Sequence, residues 1–388
     1  MLDGKEYFEE NIDNIIDDII TIVRLDSPSN NKFLVDRCFD KLDELFKEYL
    51  GITPEIFESE TTGNHRLYEK KPLNDDSPSV LLLGHIDTVW DEKQIPIKRT
   101  DEVLSGPGVL DMKGGLIQAL WALKYMHETG KLNDLCVSFF INSDEEIGSN
   151  TSKDIIQEIS EEYDYVLVLE PPVVNSGDLK TGRKGTAAYN IKFVGKKSHS
   201  GNDHAGGVNA IVEAAKQVSD LSALTDYDKG ITINVGSISG GGKINIVPDA
   251  AEIGIDVRAE RLEDLEYVDT TIHNIEAYNK SVEIIIDGEI NRPPMNNTKN
   301  DELFLVAKDI ANELDLMLDS KFVGGGSDGN FTSDMDIPTL DGLGVVGEGI
   351  HQEHEKIFIE EIPERASLLT GLIMSLTEED KQEVREVK

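Results

Sequence analysis

Three short, dense apolar runs constrain this chain most: "VLLLGHIDTV" (residues 80–89), "CVSFFINSDEE" (136–146) and "YVLVLEPP" (165–172). Runs of this length without polar alternation suit strands covered on both faces, as in parallel sheets. A helically spaced stretch, "GGLIQALWALKYMHETG" (114–130), lies between the first two and stops at Gly130. Strands alternating with helices imply a largely parallel α/β sheet. Each run ends on side chains that can bind a metal: His85 and Asp87, then Asp144, Glu145 and Glu146, then Glu170. Parallel strands bring such tips to one edge, and open α/β sheets bind ligands outside the carboxyl ends of their strands.

The N-terminal residues have helical spacing. Phe8, Ile12, Ile15, Ile16, Ile19 and Val23 mark one face over 6–24, and Val35, Cys38, Phe39, Leu42, Leu45 and Tyr49 mark another over 33–50. Near residue 180 the texture changes to period-two alternation ("TAAYNIKFVG"). A helix from 206, strands at 231–239 and 251–259, a helix over 262–279 and a strand at 281–287 follow. The order β-α-β-β-α-β is that of a ferredoxin-like α+β layer. It ends at the proline pair of "NRPPMN" (291–296), after which helix and strand patterns resume up to a last helix at 363–376. The expected organisation is a domain of residues 181–293 inserted into one formed by 1–180 and 294–388. A chain of 388 residues exceeds the size of one ordinary core, which agrees with two domains.

The net charge of -38 leaves no basic surplus for phosphates, so neither nucleic acid nor an anionic membrane is expected as a partner. No apolar run approaches the roughly 20 residues that span a bilayer. The acidic start "MLDGKEYFEENIDN" lacks the features of a signal peptide, which makes the cytoplasm the expected location. Cys38 and Cys136 sit in apolar surroundings and are expected as free thiols.

His85 and Asp87 are two apart on a strand, so both point to one side. One imidazole nitrogen can then face a metal while the carboxylate holds the other. Glu145 and Glu146 are adjacent and diverge in extended chain, so one can ligate while the other acts as a base. Asp111 lies between a glycine-rich approach and a Gly-Gly helix start in "SGPGVLDMKGGL" (105–116), where a carboxylate can bridge two metals. His351 and His354 follow a glycine-rich loop in "GEGIHQEHEKI". Together these residues form the inventory of a two-metal hydrolase. The stretch "GGGSDG" (324–329) fits a dinucleotide fingerprint, but too few residues precede Pro338 for the long helix such a site needs.

The motifs "GHIDTV", "GPGVLDMKGG", "DEEIGS", "LEPP" and "GEGIH" resemble, in order and spacing, those of a di-zinc metallopeptidase family. That family includes glutamate carboxypeptidase, acetylornithine deacetylase, succinyl-diaminopimelate desuccinylase, aminoacylase and peptidase T. The resemblance covers nearly the whole chain. It implies a zinc-hydrolase catalytic domain with an inserted dimerisation or lid domain, and two Zn2+ ions, with Co2+ or Mn2+ also suited to the ligands. By the same resemblance Asp111 bridges the ions, His85 and Glu170 complete one site, and Glu146 and His351 complete the other. His351 is preferred to His354 because the family's histidine stands four positions before an acid, here Glu355. Asp87 orients His85, Glu145 is the general base, and the peptide bond after Asp111 is often cis.

In the inserted domain, "GKKSHSG" places His199 where the family has a histidine that reaches a neighbouring subunit's site and polarises the scissile carbonyl. Asn245 and Arg258 match substrate contacts, and Gly326 and Ser327 belong to a loop at the substrate pocket. These matches imply a homodimer through the inserted domain and a small peptide or N-acyl amino acid as substrate. Glu170 fits carboxypeptidases and deacylases, since aspartate there accompanies peptidases that need a free amino terminus. "TGRKG" and "HSGNDHAGGVNAI" look most like the glutamate-carboxypeptidase branch. Acetylornithine or succinyl-diaminopimelate deacylation is the runner-up, and dipeptidase or tripeptidase activity ranks below it. A metal-binding protein without catalysis would not need Glu145, which is present.

Overall fold

The computed structural model describes residues 3–70 and 79–376, and its contacts divide the chain into two units. The first comprises 1–182, 297–323 and 327–388; the second comprises 183–296 with 324–326.

The first unit is built on a six-stranded mixed sheet. Its central strand, Ser79–His85, runs parallel to Cys136–Asn142 on one side and to Tyr165–Val168 on the other. Thr339–Leu340 adds a further parallel pairing, while His65–Lys70 and Glu55–Phe57 extend the opposite edge antiparallel. The apolar runs are buried on both faces, as their lack of alternation requires. Val80 and Leu82 enter the larger core with the helices Ile12–Val23, Lys32–Leu50, Gly114–Glu128 and Ile362–Ser375, while Leu81 and Leu83 enter a smaller one with Ile156 and Phe331. Val80, Leu81, Leu82 and Leu83 are all fully buried, and covering such side chains contributes about 1.5–3 kcal/mol each. Register then sets the site: His85 pairs with Asn142 and Leu83 with Val168, so three strand tips finish level. A small antiparallel sheet of Lys98–Arg99, Val103–Ser105, Lys356–Phe358 and Gly347–Glu348 carries the loop that holds His351.

The second unit is an antiparallel sheet in the order Thr232–Gly240, Ala250–Ala259, Gly185–Val194, Glu283–Arg292. Along Gly185–Val194 alternate residues are buried, and Ala187, Tyr189, Ile191 and Phe193 pack with Ala210 and Ala214 of one helix and Leu265 and Val268 of another.

Several boundaries differ from expectation. The helix over 6–24 is two helices, Asp3–Glu10 and Ile12–Val23, broken at Asn11, whose side-chain amide donates to the Tyr7 carbonyl. The helix expected to reach 279 stops at His273, where the Asn274 side chain takes up the Thr270 carbonyl. In agreement with expectation, the segment after "GGGSDG" forms only the six-residue helix Gly329–Asp334. As expected, Cys38 and Cys136 are not joined in a disulfide.

Candidate active site

At the tip of its strand, His85 is fully enclosed. Its Nδ1 lies 3.0 Å from the Asp87 carbonyl oxygen and 3.4 Å from the Asp87 carboxylate. The backbone carbonyl is thus the nearer partner, and it directs Nε2 outward. There Nε2 stands 3.2 Å from Asp111 Oδ1 and 3.5 Å from Glu170 Oε1. The other oxygen of Asp111 faces a second imidazole, His351 Nε2, at 3.1 Å, and the same nitrogen lies 3.1 Å from Glu146 Oε2. Asp111 therefore presents one carboxylate oxygen to each of two imidazoles. It occupies a short irregular turn, Val109–Lys113, and the Asp111–Met112 peptide bond is cis.

His351 adopts a left-handed backbone (φ +57°), which residues other than glycine adopt only occasionally, asparagine, aspartate and histidine most often. That conformation carries its ring towards Asp111 and Glu146. His354, exposed as His351 is, lies near the Glu348 carboxylate rather than in the cluster.

Glu145 and Glu146 are not in extended chain. They begin a single helical turn, Glu145–Ile147. Asp87 supports this turn beside its own backbone bonds, such as Gly148 N–H to the Glu145 carbonyl at 2.9 Å: its Oδ1 accepts from the Glu145 N–H at 3.2 Å and its Oδ2 from the Glu146 N–H at 3.2 Å. Both glutamates are thereby held to one carboxylate. Ligand atoms of His85, Asp111 and Glu146 lie within 4.8 Å of one another, and so do those of His85, Glu145 and Glu170.

The electrostatics follow from burial and proximity. Burial opposes a charge on His85, yet bonds to Asp111, Asp87 and Glu170 outweigh it and hold the imidazole well above its usual range. Bonds to Asp111 and Glu146 raise His351 to about 11. Burial, reinforced by the Asp111 charge, pushes Glu146 up to about 7. Against burial, the bonds from His351 and His85 keep the Asp111 carboxyl below the ordinary range. The residues fit a pair of divalent cations: the donors are imidazole nitrogens and carboxylate oxygens, the carboxylates outnumber the imidazoles, and Glu146 Oε1 is buried without a hydrogen-bond donor among the described residues.

A family model described as peptidase family M20/M25/M40 matches residues 81–375, which include all of these side chains. The chain belongs to this family. Carboxypeptidase G2 of Pseudomonas sp. (strain RS-16) is 32% identical over 307 residues, spanning 77% of this chain and 74% of the relative. A probable succinyl-diaminopimelate desuccinylase of Staphylococcus aureus (strain MRSA252) is 25% identical over 356 residues, 81% of this chain and 84% of the relative. Among solved structures, aminopeptidase PepT of Bacillus cereus ATCC 10987 aligns with a TM-score of 0.75 at 24% identity, covering 94% of this chain and 99% of that one. The M20 family metallo-carboxypeptidase Sso-CP2 of Sulfolobus solfataricus aligns at 0.74 and 16%, covering 93% and 98%. These alignments establish the M20 fold. The protein is an M20-family metallohydrolase of the peptidase or deacylase type, and the His, Asp and Glu cluster above supplies candidate ligands for a metal site.

In the second unit of this M20 chain, His199 and Asn245 are neighbours. Strand Ser198–His199 pairs with Ile246–Val247, and the Ser200 N–H donates to the Asn245 carbonyl at 3.0 Å. His199 Nδ1 accepts from the Gly201 and Asn202 N–H groups at 3.1 and 3.0 Å, so its proton is on Nε2. Arg258 is held by Asp256 through two bonds of 2.9 and 3.2 Å, and its Nη1 donates to the Gly324 carbonyl at 2.9 Å. The Gly326 carbonyl accepts from Arg183 at 3.2 Å. Ser327, in the first unit, is fully buried and its hydroxyl donates to Asp341 at 2.6 Å.

Ser29 was not foreseen. Its hydroxyl donates to Asp87 Oδ2 at 2.6 Å, while the neighbouring Ser27 donates to the Ile86 carbonyl at 2.7 Å. A serine in a loop carries no periodic signal. Only the short "SPS" between a helix end and an asparagine cap hints at a structured turn.

Proposed function

We propose that this chain is a zinc-dependent carboxypeptidase or deacylase that releases an amino acid, glutamate foremost, from a small peptide or N-acyl substrate. The observation that carries the hydrolytic reading is Asp111, with one oxygen at 3.2 Å from His85 and the other at 3.1 Å from His351. In this reading His85, Asp111 and Glu170 hold one ion, and Asp111, Glu146 and His351 the other. Two bound divalent cations supply Lewis acidity towards a carbonyl oxygen and a lowered pKa for water.

The chain's own groups do the rest. Glu145, held by its N–H to Asp87, takes a proton from the attacking water and delivers it to the leaving nitrogen. His199 carries its proton on Nε2, where it can donate to the developing oxyanion. Arg258 would bind a substrate carboxylate by exchanging its bidentate bonds to Asp256, with Asn245 beside it. The reading includes a homodimer through the inserted unit, in which His199 of one copy serves the other's site. The glutamate-releasing branch is supported by the 32% identity to carboxypeptidase G2. Deacylation of the succinyl-diaminopimelate type is the second reading, supported by the 25% identity over 356 residues to a probable desuccinylase.

The test is amine release by zinc-reconstituted protein from N-acyl-glutamates, N-acetylornithine, N-succinyl-diaminopimelate and free dipeptides. Turnover of an N-acyl-glutamate, lost on chelation, is expected. Turnover of only another class would overturn the glutamate assignment. Glu145→Ala should abolish turnover while both ions still bind; retained turnover would remove Glu145 from the base role.

A further inference from the structure

Glu355 is a buried carboxylate four residues after His351. It is fully enclosed, and four N–H donors converge on it. Oε1 accepts from the backbone of Leu110 at 2.8 Å and of Asp111 at 3.1 Å. Oε2 accepts from the Trp90 indole at 2.7 Å and the backbone of Gly108 at 3.1 Å. Three of these donors belong to the turn that presents Asp111. Successive N–H groups wrapped around one anion form a nest, here filled by a side chain of the protein itself. Gly108 permits the wrap: its φ is +69°, and a Cβ there would collide with Thr88.

The Glu355 N–H is tied to the Gln352 carbonyl at 2.8 Å, and the next residue enters the strand Lys356–Phe358. The loop bearing His351 is packed against it: a Cβ on Gly349 would meet Glu355 Cα at 3.1 Å. A closed ring results. It runs from the Asp111 N–H to the Glu355 carboxylate, back along the chain to His351, and from His351 Nε2 to Asp111 Oδ2 at 3.1 Å.

We propose that Glu355 is a positioning residue that sets the spacing between Asp111 and His351, and thereby the affinity of the metal position those two share. The inference rests on the reading of Asp111 and His351 as metal ligands. A hydrogen-bonded outer partner of a metal ligand typically governs affinity by ~10–100-fold. Glu355→Gln keeps the volume but turns one oxygen into a donor. Either orientation then leaves two inward N–H groups facing an N–H.

The experiment is calorimetric titration of metal-free protein with zinc, with the visible spectrum of the cobalt-loaded protein as a second readout. The wild type should bind two ions. Glu355→Gln should weaken the ion shared by Asp111 and His351 by ~10–100-fold and alter the cobalt spectrum, while the other ion, which shares only Asp111, weakens much less. Glu355→Asp keeps the charge, but its carboxylate is drawn back by one methylene from the Leu110 and Asp111 N–H groups, so it should show the same selective loss. It serves as the test if the glutamine variant does not fold. Trp90→Phe removes the donor that lies outside the Asp111 turn, and it should lower thermal stability without changing either affinity. Wild-type affinities in a folded Glu355 variant, or equal weakening of both ions, would overturn the inference while leaving the metal site intact. A wild-type protein that takes up no ions would overturn the metal reading, and this inference with it.

Discussion

In an Asp87→Asn variant, one of two buried oxygens becomes an amide nitrogen. The Oδ1 position serves the Glu145 N–H and lies 3.4 Å from His85 Nδ1; the Oδ2 position serves the Glu146 N–H and the Ser29 hydroxyl. A hydroxyl can rotate and accept, whereas a backbone N–H cannot. The amide nitrogen should therefore take the Oδ2 position and leave the Glu146 N–H without an acceptor. A buried donor deprived of its partner costs about 1–3 kcal/mol. His85 retains the 3.0 Å contact to the Asp87 backbone carbonyl, so the cost should fall on the Glu145–Ile147 turn rather than on the imidazole. At the middle of that range, about 2 kcal/mol, opening of the turn becomes about 30-fold easier, since each 1.4 kcal/mol is tenfold. Hydrogen exchange followed by mass spectrometry on a peptide spanning 143–148 reads this directly. The metal-free variant should exchange there about 30-fold faster, with peptides from the second unit unchanged. Exchange at the wild-type rate would show that Asp87 does not hold the turn, and the account of how Glu145 is aimed would fail.

Three further outcomes follow from the geometry. Ser29→Ala removes the 2.6 Å hydroxyl contact to Asp87 and should cost about 1 kcal/mol, read as a drop in unfolding free energy; in the Asp87→Asn background the same change should cost less, because the two share a partner. In Gly115→Ala the new Cβ would meet the Leu169 carbonyl oxygen at 2.5 Å, one residue before Glu170, so stability should fall by about 1–3 kcal/mol and zinc affinity with it, checked by thermal unfolding and calorimetry. Acidic residues number 75 against 37 basic ones, so screening their repulsion should raise the unfolding temperature as sodium chloride is added, whereas an equal osmolality of sugar should not reproduce the salt-specific part.

What the sequence discloses here depends on the range of the interaction. His85, Glu146 and Glu170 were legible because each ends or adjoins a run whose burial is written in its own apolar residues, and parallel register then does the gathering; Asp111 was legible from the glycines on either side of it. The turn at Glu145 was not legible from local pattern. Adjacent glutamates after a strand read as extended chain, and the carboxylate that supports their turn is Asp87, on another strand tip. Likewise a fourfold-bonded Glu355 looks, in "HQEHEKIF", like any acid in a charged loop, since its donors come from around residues 90 and 110. Helix ends at Asn11 and His273 were missed because an apolar stripe continues past each, while the local asparagine shares one carbonyl between its amide and its own N–H. Residues of the candidate site are thus marked by their own chemistry. Residues that aim them are marked only by their partners, so the aiming shell becomes visible once the chain is folded.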